Sequence, residues 1–187
     1  MGEAGSVVWK KIALDHNISA MASENHLNNE IYIHDLDTYA VGMHNCLTIP
    51  FDKLLEKGFN TRQTDVRPAG SVSTAMQLVA VIFQLESLQQ FGGVSASHLD
   101  WTMVPYVRKS FVKHYIKGLK HIENIQVDDE MCKMWGEDKT KASIEDTDIF
   151  EHEGAYKYAM ELLKEEIHQA VEGLYHNLNT LQSRSGN

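Results

Sequence analysis

Reactive side chains are concentrated in one short and otherwise apolar stretch, EIYIHDLDTYAVGMHNCLTIPF, which runs from residue 30 to residue 51. It holds two histidines, two aspartates and one of the two cysteines of the chain. Imidazole and thiolate groups bind zinc or iron, and a thiol can also act as a nucleophile or a source of hydrogen. The stretch therefore offers either metal binding or cysteine chemistry.

The segment around Cys46 is predicted to form a short strand, near residues 43–49, that ends at Pro50. The two-residue period of a strand places His44, Cys46 and Thr48 on the same face. A thiol and an imidazole in this arrangement point in parallel directions, which disfavours a pair of nucleophile and base. On spacing alone, a buried structural cysteine therefore remains an alternative to a functional one.

Metal binding has little support elsewhere in the sequence. Zinc sites usually combine two close pairs of ligands, and no second pair accompanies His44 and Cys46. Glu165 and His168 form one Glu-x-x-His motif, but a di-iron bundle needs a second copy and two more glutamates. These two residues are therefore interpreted as part of a solvated helix face, and no metal site is predicted.

Composition and charge indicate a globular protein that has neither a nucleic-acid partner nor a membrane partner. The 187 residues are 43% hydrophobic and 23% charged, and the net charge of −9 opposes a general nucleic-acid surface. No window approaches the roughly 18 consecutive apolar residues that a membrane helix needs, and the start does not resemble a signal peptide. Together with the wide separation of Cys46 and Cys132, these features predict a cytoplasmic protein with reduced thiols.

Helical periodicity dominates the sequence and predicts a mainly α fold with a few short strands. The segment near residues 71–90 carries apolar side chains on two faces, which predicts a helix buried on both. Pro50, Pro68 and Pro105 are interpreted as boundaries between elements, and the acidic stretch 124–148 as a loop or insertion. The predicted helices lie near residues 7–28, 71–90, 104–123 and 150–182.

Two further features could bind an anion. The stretch 107–121, VRKSFVKHYIKGLKH, is the only basic run, and most runs of this kind are simply the solvated face of a helix. Ser71 stands where the next predicted helix begins, and the free N–H groups there favour phosphate. An ordinary N-cap is the more common use of such a serine.

Four separated blocks carry a more specific signal when they are taken in order. They are IYIHDLDTYAVGMHNCLTIPF, the pair Gly58-Phe59, RPAGSVSTAMQ and QQFGGVSASHLDWTMVPYVRKSFVKH. At similar spacing, these blocks resemble the anaerobic (class III) ribonucleoside-triphosphate reductases, glycyl radical enzymes that make deoxyribonucleotides. The resemblance covers about residues 24–187 and implies the first part of a ten-stranded α/β barrel of the pyruvate formate-lyase-like type.

The resemblance also implies roles for residues in the first block. Cys46 matches the cysteine on the first barrel strand, which would supply a proton or hydrogen while the ribose 2′-hydroxyl leaves as water. Asn45 and His34 are expected beside Cys46 at the catalytic centre, and His34 and Asp35 are expected to contact the substrate. The substrate would be a ribonucleoside triphosphate.

Regulation and partners are likewise implied by the family. Ser71 and Lys113 would contact an ATP or deoxynucleoside triphosphate effector, and the helices near 71–90 and 104–123 would form a homodimer interface. Arg67 and Gly70 depart from the family pattern, which commonly has an acidic residue and a lysine there. A glycyl radical, a zinc site and the contact with a radical-SAM activating enzyme would belong to a C-terminal part outside this chain.

Two alternatives remain open. The first is another glycyl radical enzyme of the pyruvate formate-lyase type, although the motifs IHDLD and NC favour the nucleotide branch. The second is a non-catalytic helical module that binds nucleotide or dimerises. The isolated chain is expected to be inactive, because the radical cysteine and the glycyl radical loop of the family lie further along the sequence.

Overall fold

The computed structural model describes residues 3–39, 46–60, 65–89, 92–128, 130, 132, 141–146 and 148–180. These residues form a mainly helical structure with short strands, as the sequence predicts. The elements are α1 (Glu3–Ile12), a π-helical turn (Ala13–Asn17), α2 (Ala20–Leu27), α3 (Leu36–Tyr39), β1 (Leu47–Ile49), α4 (Phe51–Lys57), β2 (Phe59–Asn60), β3 (Asp65–Val66), α5 (Val72–Gln89), β4 (Val94–Ala96), α6 (Leu99–His121) and α7 (Glu153–Thr180).

Helices α6 and α7 form the best-packed part of the structure. Phe111 and Tyr115 of α6 have no exposed surface, and the Phe150 ring lies 4.9 Å from that of Phe111 at nearly a right angle. Near the end of α6, Gly118 allows a close approach, since a Cβ atom there would lie 2.8 Å from the Cα atom of Ala155. Packing in this region therefore combines contacts between aromatic rings around Phe111 with a close backbone contact between the two helices at Gly118.

Helix α5 packs on α7, and its buried residues Val72 and Val79 belong to a core cluster that also includes Leu174 of α7. Another face carries Val81, Leu85 and Leu88, which are 42–48% exposed. Ile82, between these positions, is only 5% exposed, so within the described residues the second apolar stripe of the prediction is buried in part and open to solvent at Leu85. Amphipathic spacing identifies apolar faces, but it does not show whether a partner covers each of them.

Strands β1 and β4 form a parallel pair in which Thr48 is aligned with Ser95. The sequence predicted the first of these strands near residues 43–49; the observed strand is Leu47–Ile49, and residues 43–45 lie outside the described ranges. Ile49 points into the core, whereas Thr48 and Ser95 are exposed and their hydroxyl oxygens lie 3.0 Å apart. The pair therefore has an apolar inner face and a polar outer face.

The helix boundaries near two other predicted elements differ from the sequence expectations. Pro105 was interpreted as a boundary but lies inside α6, which begins at Leu99. This proline is tolerated because it is exposed near the helix start, where water can solvate the carbonyl group that loses its donor. The helix predicted near 7–28 is interrupted after the π-helical turn, and Ser19 caps α2 by accepting the backbone N–H of Ala22 at 3.2 Å.

No helix within the described ranges has both the length and the apolar character needed to span a bilayer.

Candidate functional site

A cleft of about 460 Å³ opens where β1 and β4 end, and we call it the strand-end cleft. The carboxyl ends of parallel strands are the usual place for ligands in α/β folds. Helices α4 and α6 begin directly after these two strands, so their first turns also border the cleft. The cleft is lined by Thr48, Ile49, Pro50, Phe51, Asp52, Ser97, His98, Trp101 and Thr102.

Cys46 precedes β1 by one residue, and its side chain is exposed. It stands two residues before Thr48, so the strand period places it on the polar outer face. Exposure is what a thiol needs in order to meet a substrate, and a sealed apolar environment would have indicated a structural role. Asn45, the neighbouring residue expected at the same site, lies outside the described residues.

His34 and Asp35 lie together in a turn before α3. The Nδ1 atom of His34 is hydrogen-bonded to the carboxylate of Asp35, and the backbone of Asp35 has a positive φ of 53°. The His34 side chain is 72% exposed. Within the described ranges, no hydrogen bond links His34 with Cys46, so the structure joins the first two predicted residues to each other and leaves the cysteine separate.

A second cleft, of about 470 Å³, carries three lysines on one side of α6, and we call it the basic cleft. Lys113 is exposed there, as a residue that binds phosphate must be. Gly70, which directly precedes Ser71, forms part of the wall. The structure therefore brings the neighbourhoods of the two predicted effector residues together. The cleft is lined by Gly70, Lys109, Val112, Lys113, Ile116, Lys117 and Cys132.

Ser71 itself acts as a helix cap in this structure. Its hydroxyl oxygen accepts the backbone N–H of Thr74 at 3.2 Å and lies 3.1 Å from the hydroxyl oxygen of Thr74. Such a bond satisfies one of the N–H groups that a helix start leaves without a backbone partner. Ser71 therefore shapes the start of α5 beside the basic cleft, and its oxygen already has a hydrogen-bonded neighbour.

The most extensive polar contact between helices was missed by sequence reasoning. It consists of Ser73 on α5, Ser110 and His114 on α6, and Glu166 on α7, and we call it the buried polar cluster. Glu166 Oε1 accepts the hydroxyl groups of Ser73 at 2.9 Å and of Ser110 at 3.1 Å. Glu166 Oε2 lies 2.8 Å from His114 Nε2.

The environment of Glu166 favours its charged form. Burial alone would raise the pKa of this carboxyl group, but the hydrogen bonds from His114, Ser73 and Ser110 outweigh that effect and lower the pKa below its usual value. The Nδ1 atom of His114 is buried and has no hydrogen-bond partner among the described residues. The Glu166 carboxylate is thus a negatively charged acceptor that binds side chains of α5 and α6.

A signal for this cluster was present in the sequence. Ser110 and His114 are four residues apart and stand next to the apolar positions Phe111 and Tyr115, so on a helix they share one face close to the core. A sequence reading that assigns the whole basic run to a solvated face misses them. The described residues contain no group of three His, Cys, Asp or Glu side chains that could hold a metal ion.

Comparison with known proteins gives a consistent result. The chain matches the family "Anaerobic ribonucleoside-triphosphate reductase" over residues 1–187. Proteins of that name from Haemophilus influenzae, Salmonella typhimurium and Enterobacteria phage T4 are 28%, 24% and 23% identical to it. Each alignment covers 96% of this chain but only 22%, 21% and 25% of the respective relative.

The chain therefore spans about a quarter or less of the length of these relatives and corresponds to their N-terminal portion. The exposed thiol at the start of β1, the basic cleft and the match along the whole sequence lead to one assignment. This chain belongs to the anaerobic ribonucleoside-triphosphate reductase family.

Proposed function

We propose that the chain forms part of an enzyme that reduces ribonucleoside triphosphates to 2′-deoxyribonucleoside triphosphates for DNA synthesis. The observation that carries the proposal is the family match over residues 1–187. The exposed thiol of Cys46 beside a polar strand face supports it, because radical reduction of a ribose needs an accessible source of hydrogen. The family match also disfavours an enzyme of the pyruvate formate-lyase type.

The same proposal gives the strand pair its place in a larger fold. Parallel sheets are normally covered on both faces, and a two-stranded sheet is only marginally stable by itself. The exposed outer face of Thr48 and Ser95 is therefore expected to meet the rest of the protein. We infer that residues 1–187 are the N-terminal part of a ten-stranded α/β barrel and that this face lines its interior.

Cys46 is proposed to act directly on the ribose. After a thiyl radical elsewhere in the enzyme has taken the hydrogen atom from C3′, the 2′-hydroxyl leaves as water and the Cys46 thiol supplies a proton or hydrogen. The two electrons of the net reduction would come from formate or a dithiol, and the first thiol would return its hydrogen atom to C3′. His34 and Asn45 are proposed to lie beside it at the catalytic centre. His34 and Asp35 would also contact the substrate, and the carboxylate of Asp35 would fix the orientation of the imidazole ring.

The test of this role is the substitution Cys46→Ser in the full-length enzyme. We expect deoxyribonucleotide formation to be abolished while the glycyl radical still forms, which electron paramagnetic resonance measures. Cys132→Ser is the matched control, because Cys132 lines the basic cleft whereas Cys46 directly precedes β1, and this variant should retain turnover. Persistent turnover in the Cys46→Ser variant would contradict the proposed role.

The basic cleft is proposed to bind the phosphates of an ATP or deoxynucleoside triphosphate effector, with Lys113 as a direct contact and Ser71 close by. Three lysines around one opening favour an anion, and the apolar side chains of Val112 and Ile116 leave room for a base or sugar. Lys113→Ala should weaken effector binding about tenfold in calorimetry. Lys120→Ala, which removes an exposed lysine of α6 outside this cleft, is the control.

The exposed face of α5 is proposed to contact a second copy of the protein in a homodimer. Val81, Leu85 and Leu88 recur at spacings of four and three, which suits packing of one helix against another. Replacing Leu85 by Asp should shift the protein toward the monomer in sedimentation velocity experiments, whereas an exposed polar control, Thr74→Asp, should not. An unchanged dimer would show that its interface lies elsewhere.

The remaining parts of the proposal concern the rest of the enzyme. A glycyl radical, a zinc site and the contact with a radical-SAM activating enzyme are proposed for sequence outside these 187 residues, and the enzyme is proposed to work in the cytoplasm. A non-catalytic nucleotide-binding or dimerisation module is the second candidate. The basic cleft and the apolar face of α5 favour it, because both belong to this chain.

A further inference from the structure

We propose that Glu166 is a positioning residue for the basic cleft. It lies on α7, outside the cleft, and holds the first turn of α5 against α6, so that the wall at Gly70 keeps its position relative to the lysines of α6. This inference rests on the proposed effector role of the cleft. It adds a residue that binds no ligand itself but determines how well the cleft binds phosphate.

The N–H groups at the start of α5 are bound by side chains of other helices. Val72 and Ser73 are the first two residues of the helix, so their N–H groups have no carbonyl partner within it. The N–H of Val72 donates to the hydroxyl oxygen of Ser110 at 3.0 Å, and that of Ser73 donates to Glu166 Oε1 at 3.4 Å. The start of α5 is therefore bound by side chains of two other helices.

The wall of the basic cleft at Gly70 is held by hydrogen bonds on either side of it. On the cleft side, Lys109 Nζ donates to the carbonyl oxygen of Ala69 at 3.3 Å, and the next residue, Ser110, binds the N–H of Val72. Gly70 lies between these two attachment points, and no atom of the described residues lies within 4 Å of where its Cβ would be. Local packing thus does little to hold Gly70, and its position follows from the anchors on either side.

Glu166 is the acceptor shared by the start of α5 and by α6. Its carboxylate binds the hydroxyl groups of Ser73 and Ser110 and the ring of His114 at the same time. Removing a shared acceptor leaves several part-buried donors without their partner, which is more disruptive than losing one isolated hydrogen bond. We therefore expect a change at Glu166 to loosen both the start of α5 and its attachment to α6.

The direction in which phosphate affinity changes when Glu166 is replaced distinguishes a positioning role from a purely electrostatic one. Glu166 carries a negative charge, so its removal would by Coulomb's law alone make the surroundings of the basic cleft more positive and strengthen phosphate binding. The positioning role predicts the opposite, namely weaker binding. A single measurement of affinity therefore decides between the two effects.

The experiment compares Glu166→Ala, Glu166→Gln and the control Glu165→Gln, an exposed neighbour on α7, in the full-length protein. Calorimetry with tripolyphosphate and with dATP is performed well below the unfolding temperature of every variant. We expect Glu166→Ala to weaken binding about tenfold and Glu166→Gln about threefold, because the glutamine oxygen can still accept from Ser73. The control should bind like the wild type, and Glu166→Gln keeps the test usable if the alanine variant does not fold.

Amide hydrogen exchange gives an independent measurement of the anchor. Exchange of the Ser73 N–H should become at least about tenfold faster in Glu166→Ala and stay unchanged in Glu165→Gln. If both Glu166 variants bind the probes as well as the wild type or better, the positioning role is wrong while the effector role stands. If the wild type binds neither probe, the effector role fails, and the inference that depends on it fails too.

Discussion

Phe111 and Tyr115 in the helical layer of α5, α6 and α7 have no exposed surface, whereas Thr48 and Ser95 on the strand pair of β1 and β4 are open to solvent. The helical layer has interlocking aromatic rings, a close backbone contact and a buried polar cluster. The strand pair has three aligned residues on each side and a polar face. Tight packing and the proposed radical chemistry therefore belong to different regions of this chain.

This separation suits the proposed functions of the two regions. A basic cleft that responds to an effector needs a firm frame, which the helical layer provides through α6 and α7. A strand face that presents a thiol to a ribose must instead stay accessible until the rest of the enzyme surrounds it. Substitutions in the two regions should therefore have very different effects on stability.

The largest expected effect tests the helical layer. Phe111→Ala removes a buried ring that contacts the rings of Tyr115, Phe150 and Tyr156, and it should lower the free energy of unfolding by about 3–5 kcal/mol. Urea denaturation, with circular dichroism as the signal, measures this loss of unfolding free energy. Trp101→Ala, at a side chain that is 74% exposed beside the strand-end cleft, should change that free energy by about 0.5 kcal/mol or less. Similar losses in both variants would break the comparison.

The next effect tests the backbone contact between α6 and α7. Gly118→Ala would place a Cβ atom 2.8 Å from the Cα atom of Ala155, so we expect a loss of about 1–3 kcal/mol in unfolding free energy. Gly173→Ala is the matched control in α7, where no atom in the described part of the chain lies within 4 Å of the new atom. It should raise the free energy of unfolding by up to about 1 kcal/mol because alanine favours a helix. Equal effects in thermal denaturation would show that the two helices are not in firm contact.

A smaller effect depends on pH and tests the buried polar cluster. The pKa of Glu166 in the folded chain lies below its ordinary value of 4.5, so its contribution to stability is present above that value and is lost as the pH falls through the folded pKa. Glu166→Gln should therefore be less stable than the wild type by about 1–2 kcal/mol near pH 6, with a difference that shrinks toward pH 3.

The control for the pH measurement is Glu165→Gln, which should remain within about 0.5 kcal/mol of the wild type throughout. Urea denaturation at a series of pH values gives both differences. A Glu166→Gln difference that stays constant or grows as the pH falls would contradict the stabilising role of the carboxylate.

The smallest effect is expected on the strand pair. Ser95→Ala removes the hydroxyl group that contacts Thr48, but both positions are exposed, and water can replace the lost partner. The free energy of unfolding of this chain should change by less than about 0.5 kcal/mol. A loss above about 1 kcal/mol in chemical denaturation would mean that the strand pair is more tightly integrated than its exposure indicates.

The fold elements that sequence could predict are those with long periodic patterns. The spacing of Phe111, Tyr115 and Leu119 identifies α6, although its start is obscured by Pro105. Strand β4 was not predicted, because three residues carry too little pattern to stand out from a loop. The exposure of Leu85 could not be predicted either, because the spacing of apolar residues is the same whether or not a partner covers the face that they form.

The candidate site shows a similar limit. Cys46 and Lys113 were identified because their motifs resemble a known family, and their roles remain predictions. Glu166 was missed because its function depends on Ser73 and Ser110, which are 93 and 56 residues away in sequence and meet it only after three helices have packed. A pattern within one helix cannot show a bond that is made between helices.

Pro105 gives α6 a mechanical property of its own. Because proline has no N–H group, the ladder of backbone bonds lacks one rung between the turn beside the strand-end cleft and the turns that carry the lysines. Sharp bends in helices occur mainly at positions of this kind. The turn beside the strand-end cleft and the lysines of the proposed effector site are therefore connected by the one part of α6 in which a backbone donor is missing.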